Sequence, residues 1–169
     1  MFQSLRRWSS RRSVVASLAV LAALLCVMAA SLLVTGARVL AAQADLPEVV
    51  VYKTPTCGCC SKWVAHLRAA GFKVRTIDLE DLGAIRRDWK VPPKLASCHT
   101  AKVGRYVVEG HVPAADIRRL LETQPRVDGL SVPGMPIGSP GMEQGNVVEP
   151  YDVLSFNAAG ETRVFASHR

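Results

Sequence analysis

The sequence predicts an α/β domain of element order βαβ-α-ββα over residues 47–125. A loop and β-hairpin extension follows over 126–169, and an apolar leader helix precedes it within 1–44. Three observations predict this. Short apolar or alternating runs take turns with segments of helical periodicity between residues 47 and 125. Three cysteines, in Cys57-Gly58-Cys59-Cys60, sit where the first strand gives way to the first helix. Beyond Arg126 the composition shifts to Gly, Pro and Ser before two more alternating runs.

The leader reads in three parts. Arg6, Arg7, Arg11 and Arg12 precede an apolar run from Val14 to Val34, and Ala41-Ala42-Gln43-Ala44 supplies small residues for cleavage. Ser10-Arg11-Arg12-Ser13 also has a weak twin-arginine character. The run is long for a signal peptide and approaches the ~20 residues of a membrane span. A cleaved signal and an uncleaved anchor both stand, and both export the remainder. Cys26 lies within the run and reads as a small apolar residue.

Five of the 21 basic residues lie in the leader and none of the 14 acidic ones does, so the formal charge falls from +7 to +2 without it. No basic stripe with interleaved aromatics remains, which excludes nucleic acid as a partner. A membrane partner follows only if the leader is retained. Neither paired carboxylates nor a Ser-His-Asp arrangement suggests hydrolysis.

Glu48–Tyr52, with three successive valines, predicts a buried strand. Ser61–Ala70 predicts a helix with Trp63, Val64, Leu67 and Ala70 on its apolar face and Gly71 as its stop. Phe72–Leu79 alternates as a second strand does, and strand-helix-strand implies a parallel pair with a right-handed crossover. Leu82–Trp89 is a short helix, ended by Val91-Pro92-Pro93. Ser97–Val103 and Arg105–Glu109 flank Gly104 as a hairpin. His111-Val112-Pro113 opens a helix through Leu121, with Pro113 near its first turn. Arg126–Gly145 is expected as an irregular functional loop, and Tyr151–Phe156 with Glu161–Ala166 as a terminal hairpin. The order is that of a thioredoxin-like domain.

Three cysteines in four positions need a chemical reason. Cys57 and Cys60 have the spacing of a redox dithiol, and Cys59 is an extra thiol between them. A helix start favours thiolate, which is both the nucleophile of disulfide exchange and a ligand for soft metals such as Cu(I). Sulfurs so close suit bridging several ions better than filling one tetrahedron. In a thioredoxin-like sheet the third strand starts where the first one ends, so Cys98 is expected beside Cys57. The fourth strand returns to the same end and brings His111 near. His99 is a less direct candidate, His66 reads as surface or supporting, and His168, near the terminus, as inert. Met135 and Met142 lie in a Gly/Pro loop without a periodic apolar face, and thioether sulfur suits Cu(I).

Tyr52-Lys53-Thr54-Pro55-Thr56-Cys57-Gly58-Cys59-Cys60, Ser97-Cys98-His99-Thr100-Ala101, Val108-Glu109-Gly110-His111-Val112-Pro113, and Gly129–Pro136 with Gly141-Met142-Glu143 follow one another in that order. Together they resemble the exported CopG-type copper-resistance family, from about Val49 to the C-terminus. The resemblance implies a thioredoxin-like domain whose C-terminal extension joins in binding copper. It also implies a cysteine-bridged copper site and a role in copper tolerance involving Cu(I)/Cu(II) change. Cys57, Cys59, Cys60 and Cys98 match the thiol positions, and Met135 and Met142 fall in the matching extension. The leading expectation is therefore a periplasmic protein holding more than one Cu(I) through Cys57, Cys59, Cys60, Cys98, His111, Met135 and Met142. Copper ions, and a copper-efflux or redox protein, are its expected partners. The alternative is a thiol–disulfide oxidoreductase in which Cys57 and Cys60 are catalytic. An iron–sulfur carrier would also use four cysteines but gives the methionines no purpose.

Overall fold

Three consecutive β-branched residues restrict the backbone to extended conformations, and β1 (Val49–Lys53) is the result, with Val49, Val51 and Lys53 buried. In the computed structural model the described residues are 46–169, together with Leu24, Cys26 and Met28, which are helical and exposed. The rest of the leader, including the expected cleavage site and most of Val14–Val34, lies outside the described residues. Among those described, no helix is long and apolar enough to cross a membrane. Residues 46–169 form one compact unit.

After β1 the chain turns into α1 (Gly58–Ala69) and returns as β2 (Val74–Asp78), parallel to β1. Next come α2 (Gly83–Asp88) and a single 3₁₀ turn, Pro93–Leu95. The hairpin of β3 (His99–Val103) and β4 (Tyr106–Glu109) leads into α3 (Ala114–Thr123). Three further strands complete the chain, β5 (Gly129–Ser131), β6 (Tyr151–Phe156) and β7 (Thr162–His168). The described strands form one sheet of order β2-β1-β3-β4-β5-β6-β7. The glutaredoxin/thioredoxin-like arrangement predicted from element order is present.

Alternation along the strands divides the core between two faces. Trp63, Leu67, Ile117 and Leu120 of α1 and α3 pack on Val49, Val51, Ala101, Val103, Val108 and Leu130. On the opposite face Val91, Leu95, Val107 and Phe156 form a smaller cluster, with Trp89 and Leu154 against it.

Several boundaries differ from expectation. Helix α1 begins at Gly58 rather than Ser61, because Cys57 acts as its N-cap and accepts from the Cys60 N–H through its own sulfur. Pro113 is the N-cap of α3 rather than a residue of its first turn. The stretch expected as an irregular loop contains β5, which pairs parallel with β4 and antiparallel with β6. Composition hides that strand because close approach demands glycine. A Cβ on Gly129 would lie 2.2 Å from the Val107 carbonyl oxygen and 2.7 Å from the Phe156 ring. The expected terminal hairpin forms, but through β5 it continues the main sheet, and β7 runs to His168. That histidine is engaged structurally. Its Nε2 lies 2.8 Å from Asp116 Oδ2, and its ring stacks on Tyr151.

Candidate metal centre

The antiparallel register that pairs Lys53 with His99 sets the start of β3 beside the end of β1. It therefore brings Cys98 to the start of α1. Cys59 Sγ lies 3.5 Å from Cys57 Sγ and 3.8 Å from Cys98 Sγ. Cys57 and Cys60 are joined as a disulfide, whereas Cys59 and Cys98 are free thiols. All four sulfurs lie within 4.8 Å of one another, a grouping that can hold a metal ion. In the first turn of α1 the Cys60 N–H donates to Cys57 Sγ at 3.3 Å, and a helix N-terminus favours anionic sulfur.

Two imidazoles close the other side. Cys98 Sγ is 3.0 Å from His111 Nε2 and 3.3 Å from His99 Nδ1, and these three ligand atoms form a second close group. His111 Nδ1 lies 2.8 Å from the Pro140 carbonyl oxygen. A carbonyl only accepts, so Nδ1 carries the hydrogen, and in the neutral ring Nε2 presents its lone pair to Cys98. Burial holds the His111 pKa below the ordinary histidine value, which favours that neutral ring. His99 is fully enclosed, with its ring against Trp63 and edge-on to His111. Burial first, and then the nearby His111, lower its pKa to about 3. Its Nε2 has no hydrogen-bond partner. For Cys98, burial and then the adjacent Cys59 push the thiol up to about 12.

The supporting contacts come from three directions. Trp63 Nε1 donates to the Val112 carbonyl at 2.8 Å, and His66 Nε2 accepts from the Ala114 N–H at 3.1 Å. His66 thus caps α3, whose N-cap Pro113 has no side-chain donor or acceptor to do so. Together these bonds fix the segment that carries His111. Ser97, next to Cys98, donates its N–H to Glu109 Oε1 at 2.7 Å and its hydroxyl to the Gly134 carbonyl at 2.5 Å. Burial raises the Glu109 pKa, against the opposing pull of the Ser97 N–H and Arg86. The sequence assigned no role to Arg86, nor to Glu109, which stands within the Val108–Pro113 motif. The available signal was an acidic residue continuing the apolar run Tyr106-Val107-Val108.

The methionine loop is tethered beside the cluster at Gly134, Pro140 and Gly141. Met135 is 51% exposed and Met142 half-buried. Gly141 has φ +89°, and a Cβ there would lie 2.7 Å from the Cys59 carbonyl and 2.8 Å from the Trp63 nitrogen. Gly141→Ala is therefore expected to lift this loop from the start of α1 while sparing the core. Calorimetry should show a melting temperature lowered by no more than about 5–10 °C, a backbone-strain cost of roughly 1–3 kcal/mol. If Met142 serves the site, copper retained per chain should fall in the same protein.

Family models match in two adjoining parts. Residues 49–90 match Glutaredoxin, and residues 95–142 match "Protein of unknown function, DUF411". No curated protein matches the chain. Two solved structures do, described as "Copper resistance protein copG- Form 1" and "Form 2". Each is 41% identical to this chain. The first superposes with a TM-score of 0.70 over 73% of this chain and 98% of the solved one. The second gives 0.71 over 74% and 100%. The chain belongs to the CopG copper-resistance family. In this chain the Cys57–Cys60 cluster falls in the glutaredoxin-like part, whereas Cys98, His111, Met135 and Met142 fall in the other, so the sulfur cluster bridges the two matches.

Proposed function

We propose that the chain is a periplasmic copper-binding protein that contributes to copper resistance by holding Cu(I) in a cysteine-bridged site. The observation that carries this reading is the convergence of four sulfurs, from two segments about forty residues apart, within 4.8 Å. Thiolate is the soft donor that Cu(I) prefers, and clustered thiolates bridge more than one ion. His111 supplies a neutral imidazole at the edge of the cluster, and Met135 and Met142 supply thioethers from the tethered loop. Use of all four sulfurs requires the Cys57–Cys60 disulfide to be reduced, which consumes two electrons and two protons. Interconversion of Cu(I) and Cu(II) at such a site moves one electron per ion, so it calls for a redox partner that takes or supplies that electron, whereas an efflux protein would take the ion itself. Reconstitution of the reduced chain with Cu(I), followed by elemental analysis and intact mass, tests the proposal. A chain that emerges without copper refutes it.

Proton competition gives a directional prediction. Each thiol that binds must lose its proton, and Cys98 keeps its proton to unusually high pH. Copper affinity should therefore rise throughout the range from pH 6 to 9, by up to about tenfold per pH unit for each thiol still protonated. Chelator competition at three pH values reads the slope, and a flat profile would contradict thiolate ligation.

A second reading, thiol–disulfide exchange by Cys57 and Cys60, is favoured by the disulfide between them and by the glutaredoxin-like part. A Cys59→Ser, Cys98→Ser double variant separates the two. Undiminished turnover on a disulfide substrate without metal would favour exchange, and loss of copper with no such turnover would favour the metal site.

A further inference from the structure

Cys98 lies outside regular structure, between the 3₁₀ turn and β3, so its own hydrogen-bond ladder does not orient it. Its neighbour Ser97 is held at both peptide groups. The Ser97 N–H donates to Glu109 Oε1 at 2.7 Å, and the Ser97 carbonyl accepts from Arg86 Nη2. The same Glu109 oxygen accepts from Arg86 Nε at 2.9 Å and pairs with Arg86 Nη2 at 2.8 Å. Glu109 is fully buried, on the sheet face opposite α1. The fork of Arg86 reaches it from α2. Gly110 completes the fit, because a Cβ at its φ of +73° would lie 2.6 Å from Ser97 Oγ.

Apolar residues would hold two elements together at least as well as a buried ion pair, so its presence needs another reason, and geometric specificity is one such reason. A planar guanidinium grips a carboxylate and a carbonyl at once in fixed directions, which a lysine does not. We propose that Arg86 and Glu109 form a positioning clamp that fixes the Ser97 peptide and so aims Cys98 Sγ at Cys59 and His111. Through the Ser97 hydroxyl on Gly134, the clamp also sets the position of the loop that carries Met135. Neither residue touches the sulfurs. The copper consequence rests on the function proposed above, whereas the aim of Cys98 does not.

Arg86→Lys keeps the charge and loses the fork, and Glu109→Gln keeps the shape and loses the charge. In the full chain, reduced and metal-free, iodoacetamide labelling resolved by mass spectrometry reads each cysteine separately. Cys98 labelling is expected to rise about tenfold in either variant, the local equivalent of one lost charge-assisted hydrogen bond. Cys57, Cys59 and Cys60 should label at the wild-type rate. After Cu(I) reconstitution, copper per chain should fall and the Cu–S signature in X-ray absorption should change. The clamp is overturned if Cys98 labelling is unchanged, or if all four cysteines change together with the melting temperature, as they would for general support of the fold. Should Glu109→Gln fail to fold, Arg86→Lys alone decides. If the wild type binds no Cu(I) while Cys98 alone gains reactivity, the clamp stands and the copper reading falls.

Discussion

Cys98→Ser is expected to weaken copper binding at least about a hundredfold while leaving a folded chain. Cys98 is the one cysteine of the cluster supplied from outside the Cys57–Cys60 segment, and it sits between Cys59 at 3.8 Å and His111 Nε2 at 3.0 Å. Serine keeps the size and removes the soft donor. Thiolate-rich zinc sites bind with about 10–16 kcal/mol in all, so one sulfur in four carries on the order of 3 kcal/mol. That is roughly a hundredfold in affinity, and loss of a bridging atom adds to it by releasing its neighbour. Elemental analysis and chelator competition read the loss directly. A Cys98→Ser chain that keeps wild-type copper would mean that the other three sulfurs suffice. The convergence of two segments would then be a matter of packing.

Trp63→Ala is expected to give the largest loss of stability. Trp63 is fully buried in the core of residues 46–169, touches the His99 ring, and donates to Val112, one residue from His111. Truncation of a core tryptophan costs about 3–5 kcal/mol, and the unpaired Val112 carbonyl adds to it. For a folded unit of this size the melting temperature should fall by roughly 10–20 °C. Trp63→Phe helps separate the contributions, since it removes the N–H donor but retains most of the ring packing, with a smaller cavity than Ala leaves. It should cost about 1–2 kcal/mol in stability, and the freed 111–114 segment should weaken copper binding beyond that. Equal loss of stability in the two variants would show that the hydrogen bond, not the volume, dominates.

Much of this was readable before the structure, and for a consistent reason. The apolar valines of β1, the Gly71 stop and the Gly104 turn are local signals, and they yielded the order of elements. Order then placed Cys98 beside Cys57, because an antiparallel third strand must begin where the first one ends. His111 followed from the same topology. What stayed hidden depends on side chains meeting across the fold. The direction taken by His99 could not be read from strand position alone. His66, seven residues along α1 from Cys59, supports the site by capping α3, a contact visible only once the two helices are packed. Arg86 and Glu109 come from separate elements and share no motif. The strand β5 was concealed because Gly129, needed for close approach to Val107 and Phe156, looks like loop composition. Pairing of Cys57 with Cys60 was one open choice among the dithiol and metal readings.

The seating of β5 between β4 and β6 bears on how small this protein can be. A chain cut back to residues 47–125 would strip β5 from β4 and leave a row of unanswered amide and carbonyl groups along a strand with two successive valines. Such a raw border invites pairing with other copies. The last forty residues therefore act as a hem as well as the carrier of the methionines, and neither task can be trimmed away without the other.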